Sequence, residues 1–285
     1  MNLKRFDNPK IFADSVMPIL KKEEAVNGLM LGVLQAILRG DYEKNEKYMA
    51  YTEENGFIAS IVLMTLPFGP ILYSSRKNDS DSMQLIADDL IKSKFKIDDI
   101  VGRKSETKLF AEIYSRTINC GFELGMNMRL YELKKVNNII LSSGLIRQAE
   151  QKDTEIIADW IGQFHEETHT ERGSSNLLEA AERRIKDGSA FVWEDKKIVS
   201  MTLKTRPTNK YVSVSGVLTP KEYRRKGYAT SLVYSLSKSL LESGYEGCTL
   251  FTDLSNPTSN KIYQDIGYKA ICDFDKYKFA KKISA

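Results

Sequence analysis

Residues 217–230 read Val-Leu-Thr-Pro-Lys-Glu-Tyr-Arg-Arg-Lys-Gly-Tyr-Ala-Thr, and this segment indicates the fold more strongly than any other part of the chain. The apolar residues before it predict a strand that stops at Pro220, because proline cannot continue a strand ladder. After Gly227, apolar residues at three-and-four spacing predict a helix to about Ser243. Strand, short basic loop and helix therefore follow one another directly.

This order predicts an anion site at the start of the helix. The amides of a helix N-terminus lack intrahelical acceptors, and the helix dipole makes that end positive. Gly227 has no Cβ to keep a phosphate away from the backbone, and Ala229 is nearly as small. Arg224, Arg225 and Lys226 add full positive charge around the loop. We therefore expect a pyrophosphate site here, the alternative being a solvated basic turn.

A second segment, residues 256–268, reads Asn-Pro-Thr-Ser-Asn-Lys-Ile-Tyr-Gln-Asp-Ile-Gly-Tyr. Asn256 is a typical N-cap and Pro257 fits the first helical position, so a short helix is predicted over 257–266. Tyr263 follows Asn256 by about two turns, which places both residues on one face of the helix. Taken alone, Asn256 could be only a cap and Tyr263 only a packed aromatic residue.

Together the two segments resemble the GNAT superfamily of acyl-CoA-dependent N-acyltransferases. Arg224-x-x-Gly227-x-Ala229 is similar to its R/Q-x-x-G-x-G/A phosphate loop, and 256–268 to its N-x-x-S-x-x-x-Y-x-x-x-G-F/Y segment. The resemblance extends from about Leu145 to the C-terminus. It implies a mixed α/β GNAT fold with a mostly antiparallel central sheet, and we expect this fold in tandem.

The resemblance also implies positions for the acyl donor, acetyl-CoA. The backbone of Val217, Leu218 and Thr219 would bind the pantetheine arm. Asn256 would hold the pantetheine, with Ser259 also among the cofactor-binding residues, and Tyr263 would direct its hydroxyl at the thioester sulfur as the catalytic residue. The pyrophosphate would be bound by the loop and the first helical turn, with Arg224 adding charge and with backbone amides from Arg225, Lys226, Gly227, Tyr228, Ala229 and Thr230.

No general base is evident. The strand before the phosphate loop carries Ser213 and Ser215, where many members of the superfamily have a carboxylate, so a water relay or a carboxylate elsewhere is expected. Glu166 and Glu167 end the first helix of this half, on the side where the superfamily binds its acceptor. Either residue could help, and a solvated carboxylate is the alternative for both.

His165-Glu166-Glu167-Thr168-His169 satisfies the H-E-x-x-H pattern of zinc hydrolases. The third ligand would have to be a carboxylate such as Glu171, Glu179 or Glu182, none of which is favoured by spacing. Because the pattern is short and lies at a predicted helix end, we interpret it as a solvated helix end and expect no metal.

Composition limits the remaining classes. The chain has 285 residues, of which 42% are hydrophobic and 28% charged, values typical of a soluble globular protein with two domains. A net charge of +4 is too small to indicate a nucleic-acid or membrane surface. Three widely spaced cysteines and a polar N-terminus without a signal peptide predict a cytoplasmic protein, and an oligomer is compatible with the sequence.

The first half, residues 1–140, is predicted to be a separate α/β domain, with the catalytic domain spanning 141–285. One long helix is expected from Pro9 to Leu38, and a hairpin turning at Asn55-Gly56. The polar segment 134–144 is the expected junction, although its Asn-Ile-Ile-Leu stretch is also compatible with a strand. This half lacks the phosphate-loop pattern, so we interpret it as a degenerate GNAT-like half, the alternative being an unrelated domain.

The sequence thus predicts transfer of an acetyl group from acetyl-CoA to a primary amine, directly, in a ternary complex. The acceptor would be a small amine or a peptide. Two other functions stay open, namely a CoA-binding module without catalysis and a zinc hydrolase built on His165 and His169.

Overall fold

The same order of elements occurs twice along the chain. The computed structural model describes residues 1–168 and 176–280. The first series consists of β1 (Asn2–Arg5), α1 (Pro9–Leu20), α2 (Gly28–Leu38), β2 (Lys47–Glu54), β3 (Phe57–Thr65), β4 (Ile71–Ser74), α3 (Ser80–Lys92), β5 (Asp99–Arg103), α4 (Lys104–Ile118) and β6 (Phe122–Leu133).

The second series repeats this order element by element. It consists of β7 (Leu145–Gln148), α5 (Thr154–Thr168), α6 (Leu177–Lys186), β8 (Ala190–Asp195), β9 (Lys197–Thr205), β10 (Tyr211–Leu218), α7 (Tyr228–Glu242), β11 (Gly247–Asp253), α8 (Pro257–Ile266) and β12 (Lys269–Phe279). The expectation of one fold used twice is therefore confirmed at the level of element order.

The chain forms two compact units whose boundaries differ from the predicted division at residue 140. Unit 1 contains residues 1–130, 253–255 and the chain from Ile271 onward, and unit 2 contains 131–252 and 256–270. The physical reason is strand pairing. β12 pairs antiparallel with β5, with Phe274 opposite Arg103 and Lys278 opposite Asp99, so the last strand of the chain completes unit 1.

Unit 1 has the strand order β1-β2-β3-β4-β5-β12-β6. Its helices cover both faces of the sheet. Successive residues of β2 face opposite sides, with Tyr48 in the core formed with α3 and α4, and Met49 in the core formed with α1 and α2. Since both faces are buried, β2 and β3 read as nearly continuous apolar runs instead of an alternating pattern.

Unit 2 has the strand order β6-β11-β10-β9-β8-β7, to which β6 contributes its last residues. One face packs on α7 and α8 through residues such as Val214, Leu236 and Ile266. The other face packs on α5 and α6 through Ile157, Ala181 and Val192. In both units the described pairings are mostly antiparallel, with β4–β5 and β10–β11 parallel, which confirms the predicted fold class.

The single long helix predicted over Pro9–Leu38 is wrong. α1 ends at Leu20, a short 3-10 turn follows, and α2 begins at Gly28. The buried side-chain amide of Asn27 donates to the Leu20 carbonyl at 2.9 Å, so a side chain supplies a partner that the next helical turn would otherwise provide.

Two further expectations concern turns and the junction. Asn55 and Gly56 both have positive φ, 51° and 79°, as a two-residue hairpin turn between β2 and β3 requires, so that prediction is confirmed. The alternative of a strand within 134–144 is wrong, because the segment has no regular secondary structure.

Among the described helices, none combines the length and the apolar character needed to cross a membrane.

Because β12 pairs with β5 in unit 1, we expect a buried residue of β12 to stabilise unit 1. Phe279 is 9% exposed and its ring centroid lies 4.8 Å from that of Tyr114 on α4. We expect Phe279→Ala to lower the free energy of unfolding by about 3 kcal/mol, because a packed ring is lost. Hydrogen exchange should show lower protection in α4 and not in α7.

The matched control is Phe57→Ala, since Phe57 is 74% exposed. Its effect on the unfolding free energy is expected to stay within about 0.5 kcal/mol. Loss of protection confined to α7 in the Phe279 variant would contradict the assignment of β12 to unit 1.

Candidate functional site

The end of β10 departs from regular pairing. β10 pairs in parallel with β11 only from Tyr211 to Ser213, and both strands continue beyond that point. Its register with β9 shifts between Ser215 and Leu218, and Gly216 there has a φ of +59°. This β-bulge turns the backbone of the last residues of β10, including Val217, out of the regular ladder.

The backbone that follows the bulge is held by side chains. Ser200 Oγ donates to the Leu218 carbonyl at 3.0 Å and lies 2.8 Å from Thr219 Oγ1. The Thr219 carbonyl accepts from Nε of Arg224 at 2.7 Å. The entry to the predicted phosphate loop is therefore fixed before any ligand binds.

The phosphate loop, residues 220–227, ends in a helix start that no side chain caps. Arg225 and Gly227 both have positive φ, 63° and 78°, and α7 begins at Tyr228. Its first turn contains no acidic residue, and the first helical hydrogen bond runs from the Ser231 amide to the Gly227 carbonyl. The amides ahead of that bond belong to Tyr228, Ala229 and Thr230.

An uncapped helix start beside two exposed cations is a suitable anion site. The amides lie at the positive end of the dipole of α7, and Arg225 and Lys226 on the loop are both exposed. The structure thus brings together the loop residues that the sequence selected.

Two serines of the junction hold this helix start, and sequence reasoning missed both. Ser142 Oγ donates to the Lys226 carbonyl at 2.6 Å, and the Ser142 amide donates to Ser231 Oγ at 2.8 Å. Ser143 and Tyr228 donate to Asp195 Oδ2, each at 2.7 Å, and these hydrogen bonds hold the pKa of Asp195 below its usual value. No local pattern could have indicated contacts over such sequence separations.

The second predicted segment forms the start of α8. Asn256 caps the helix, since its side chain accepts from the Ser259 amide at 3.1 Å, and α8 spans the predicted residues. Tyr263 is 8% exposed, and burial raises its pKa to about 12. Its hydroxyl has no hydrogen-bonding partner within residues 1–168 and 176–280, so the described residues leave this phenol donor unused.

A further residue that the sequence did not indicate orients α8. Tyr131, at the end of β6, is 1% exposed, and its hydroxyl donates to Asn260 Oδ1 at 3.0 Å and accepts from Gln264 Nε2 at 3.1 Å. Asn260 in turn donates to the Asn256 carbonyl at 2.7 Å. These bonds bind α8 on both sides of Tyr263.

The two glutamates and the two β10 serines that the sequence places near the acceptor differ in their contacts. Glu166 is exposed near the end of α5, whereas Glu167 is joined to Arg224, with both carboxylate oxygens within 2.7 Å of Nη2. On the strands, Ser213 Oγ lies 2.9 Å from Thr249 Oγ1, and Ser215 Oγ lies 3.0 Å from Thr205 Oγ1. The two β10 serines thus form hydroxyl pairs with threonines.

The zinc alternative involves residues on both sides of the boundary at which the described part of α5 ends. His165 lies near the end of α5, and His169 and Glu171 lie outside the described residues. Within the parts of the chain that are described, no group of three His, Cys, Asp or Glu residues is arranged to hold a metal ion.

The equivalent helix start in unit 1 differs in charge. The side chain of Asp79 caps α3 by accepting from the Ser82 amide at 3.2 Å, and Asp81 lies in the first turn. At the C-terminal end of α4, counting back from its left-handed cap residue Asn119 as from Gly267 in α8, Ser115 takes the place of Tyr263. Unit 1 therefore has a carboxylate where unit 2 has open amides, and no phenol at the second position.

The geometry predicts why residue 227 must be glycine. A Cβ at this position would lie 2.6 Å from Ser142 Oγ, which is held by the Lys226 carbonyl, and φ is +78°. We expect Gly227→Ala to lower the unfolding free energy by about 2 kcal/mol, from backbone strain plus the disturbed hydrogen bond. Urea unfolding followed by circular dichroism measures this loss.

Gly244 gives the matched control at the other end of α7, because its φ is +106° and a Cβ added there would meet no atom within 4 Å. Gly244→Ala should lose only the strain, about 1 kcal/mol. In a Ser142→Ala background the difference between the two alanine variants should disappear. A difference that persists there would contradict the role given to Ser142.

Comparison with known proteins agrees with this architecture. Residues 199–279 match the family described as FR47-like protein, and no curated protein matches the chain. An acetyltransferase of the GNAT family from Colwellia psychrerythraea has a TM-score of 0.59 at 13% identity, covering 98% of this chain and 99% of its own.

Two other solved structures are also similar over almost the full length of the chain. A Drosophila protein has a TM-score of 0.68 at 10% identity, with 98% of both chains covered. A tandem GNAT protein from the clavulanic acid biosynthesis pathway has a TM-score of 0.61 at 9% identity, with 100% of this chain and 99% of that chain covered. The chain therefore has the GNAT fold in tandem, with an FR47-like segment at residues 199–279 of its second half.

Proposed function

We propose that this protein is an N-acetyltransferase that moves an acetyl group from acetyl-CoA to a primary amine. The observation that carries the proposal is the start of α7, which has no side-chain cap and no acidic residue in its first turn. A diphosphate supplies the negative oxygens that such amides lack. The GNAT fold and the FR47-like match support the same class of reaction, acyl transfer.

The donor would lie along the end of β10 and the phosphate loop. Backbone groups of Val217, Leu218 and Thr219 would bind the pantetheine arm beside the bulge, and Asn256 and Ser259 would lie on the same substrate. The diphosphate would be bound by amides from Arg225 to Thr230, and Arg225 and Lys226 would add full charges. Only unit 2 would bind the donor, since Asp79 repels an anion from the start of α3.

The reaction would be a direct transfer. The neutral amine nitrogen attacks the thioester carbonyl carbon, the carbon–sulfur bond breaks, and the proton that the attacking nitrogen loses moves to the departing thiolate. The hydroxyl of Tyr263, which has no partner among the described residues, would donate a hydrogen bond to that sulfur. With the Tyr263 pKa at about 12 and a thiol pKa near 8.5, complete proton donation is uphill by roughly 5 kcal/mol. Tyr263 therefore acts as a hydrogen-bond donor more than as an acid.

The acceptor must lose its proton before attack. For an alkyl ammonium with a pKa near 10.4, the neutral form at pH 7 is disfavoured by roughly 4–5 kcal/mol. β10 reads Tyr-Val-Ser-Val-Ser-Gly-Val-Leu, so the strand itself offers no carboxylate base. A water relay, or a carboxylate such as Glu166, would take this proton. The acceptor would be a small amine or a peptide amine.

The decisive experiment compares binding and turnover in Tyr263→Phe. We expect calorimetry to show wild-type affinity for acetyl-CoA, while kcat for an amine acceptor, followed by thiol release, falls about 10²-fold, because one hydrogen bond to the leaving thiolate is lost. Tyr245→Phe, on a half-buried tyrosine after α7, is the matched control and should keep wild-type kcat.

The two alternative outcomes are distinct. A wild-type protein that does not bind acetyl-CoA contradicts the proposed function altogether. Tight binding with no acetyl transfer to any amine in a broad acceptor screen indicates a CoA-binding module instead.

The raised pKa of Tyr263 also predicts a pH dependence. A phenol with a pKa near 12 keeps its proton up to pH 10, whereas one with the ordinary value of 10 would be half ionised there. The ratio of wild-type kcat to Tyr263→Phe kcat should therefore stay constant from pH 7 to pH 10. A ratio that falls by half or more at pH 10 would show that the hydroxyl ionises too early for this role.

A further inference from the structure

One guanidinium joins two parts of unit 2 that the sequence assigned to opposite substrates. Arg224 Nε donates to the Thr219 carbonyl at 2.7 Å, and its Nη2 lies 2.6 and 2.7 Å from the two oxygens of Glu167. Thr219 belongs to the predicted pantetheine-binding backbone. Glu167 belongs to the end of α5, on the predicted acceptor side.

The contact is more specific than an ordinary surface ion pair. Both side chains are 39% exposed, so the charge attraction by itself is weak in water. However, Arg224 also bonds a backbone carbonyl, and a guanidinium has a planar, fixed set of donors. When Glu167 orients that plane, it fixes the bond to Thr219 as well, which a mobile arginine would make only part of the time.

The other anchors of the phosphate loop come from different directions. Ser142 binds the Lys226 carbonyl from the junction, and Tyr228 binds Asp195 at the end of β8. Neither contacts residues 219–224, where Ser200 Oγ lies 2.8 Å from Thr219 Oγ1 and Lys197 Nζ lies 4.9 Å from the ring centroid of Tyr223. The Glu167–Arg224 pair is the contact that holds this first part of the loop to α5.

We propose that Glu167 is a positioning residue for the acyl donor. Through Arg224 it holds the Thr219 carbonyl and the first part of the phosphate loop in the arrangement that binds the pantetheine arm and the diphosphate. This inference rests on the proposed function. A loop that is ordered before binding loses less conformational freedom when the donor arrives, so the pair raises donor affinity without touching the reacting atoms.

This role excludes Glu167 as the base in the same state. Both of its oxygens accept from Arg224, so removal of a proton from the amine by Glu167 would require the ion pair to break. The pair also neutralises one of the four cations of the loop, Lys221, Arg224, Arg225 and Lys226. Arg225 and Lys226 are then the loop cations nearest in sequence to the first amides of α7.

The test is a double-mutant cycle on donor binding, with Glu167→Ala, Arg224→Ala and the combined variant. We expect Glu167→Ala to weaken CoA binding, measured by calorimetry, about fivefold. Arg224→Ala should weaken it about tenfold or more, because the bond to Thr219 is also lost. In the Arg224→Ala background, Glu167→Ala should have no further effect. The donor KM should rise accordingly, while kcat and the acceptor KM stay within about twofold of wild type.

Two other variants keep the result interpretable. Glu155→Ala removes an exposed carboxylate from the first turn of the same helix and should leave CoA binding unchanged. Glu167→Gln keeps the side-chain shape and one acceptor, and should bind CoA with an affinity between those of wild type and Glu167→Ala. If Glu167→Ala does not fold, the glutamine variant still gives the comparison.

Two results would overturn the inference. The first is wild-type CoA affinity in Glu167→Ala, or additive losses in the cycle. The second is a fall of about 10²-fold or more in kcat with unchanged CoA affinity, which would identify Glu167 as the base. Failure of the wild-type protein to bind CoA would instead contradict the proposed function, so the two failures are distinguishable.

Discussion

The candidate site of unit 2 depends on the peptide N–H groups at the start of α7, for which the helix has no side-chain cap. Most helices satisfy these donors with a side chain, as Asn256 does for α8. At α7 the capping position is Gly227, which has no side chain to offer, and its φ of 78° favours glycine. The surrounding contacts from Ser142, Asp195 and Arg224 hold this open end in place without closing it.

The two series of elements show how one fold can keep or lose such a site. Both have the same order, both have a parallel strand pair followed by a helix, and in both this helix ends at a left-handed cap residue before the last strand. The difference lies in a few side chains. Asp79 caps α3 with a carboxylate, and Ser115 stands where α8 has Tyr263. Unit 1 keeps the sheet and the core but has neither the open amides nor the phenol.

Local signals allowed much of this fold to be predicted. α8 occupies the predicted residues because its cap, its first-turn proline and its terminal glycine are all close in sequence. The phosphate loop was recognisable for the same reason. The break between α1 and α2 was not recognisable from the sequence, because the side-chain contact found there joins Asn27 to the Leu20 carbonyl seven residues earlier. Three contacts of the site join residues that are far apart in the chain, so no local sequence pattern indicates them. They are those of Tyr131 with α8, of Ser142 with the loop and of Glu167 with Arg224.

The position of β12 has a consequence for biosynthesis. Unit 1 includes residues 1–130 and the chain from Ile271 onward, so its sheet lacks an internal strand until the ribosome has translated β12. At about 5–20 residues per second, translation from Leu130 to Ile271 takes roughly 7 to 28 s. During that interval β5 has an exposed edge on the nascent chain, which is a site for wrong pairing. Unit 2 takes only residues that are translated before β12 is complete, so all of unit 2 is synthesised before unit 1 can complete its sheet.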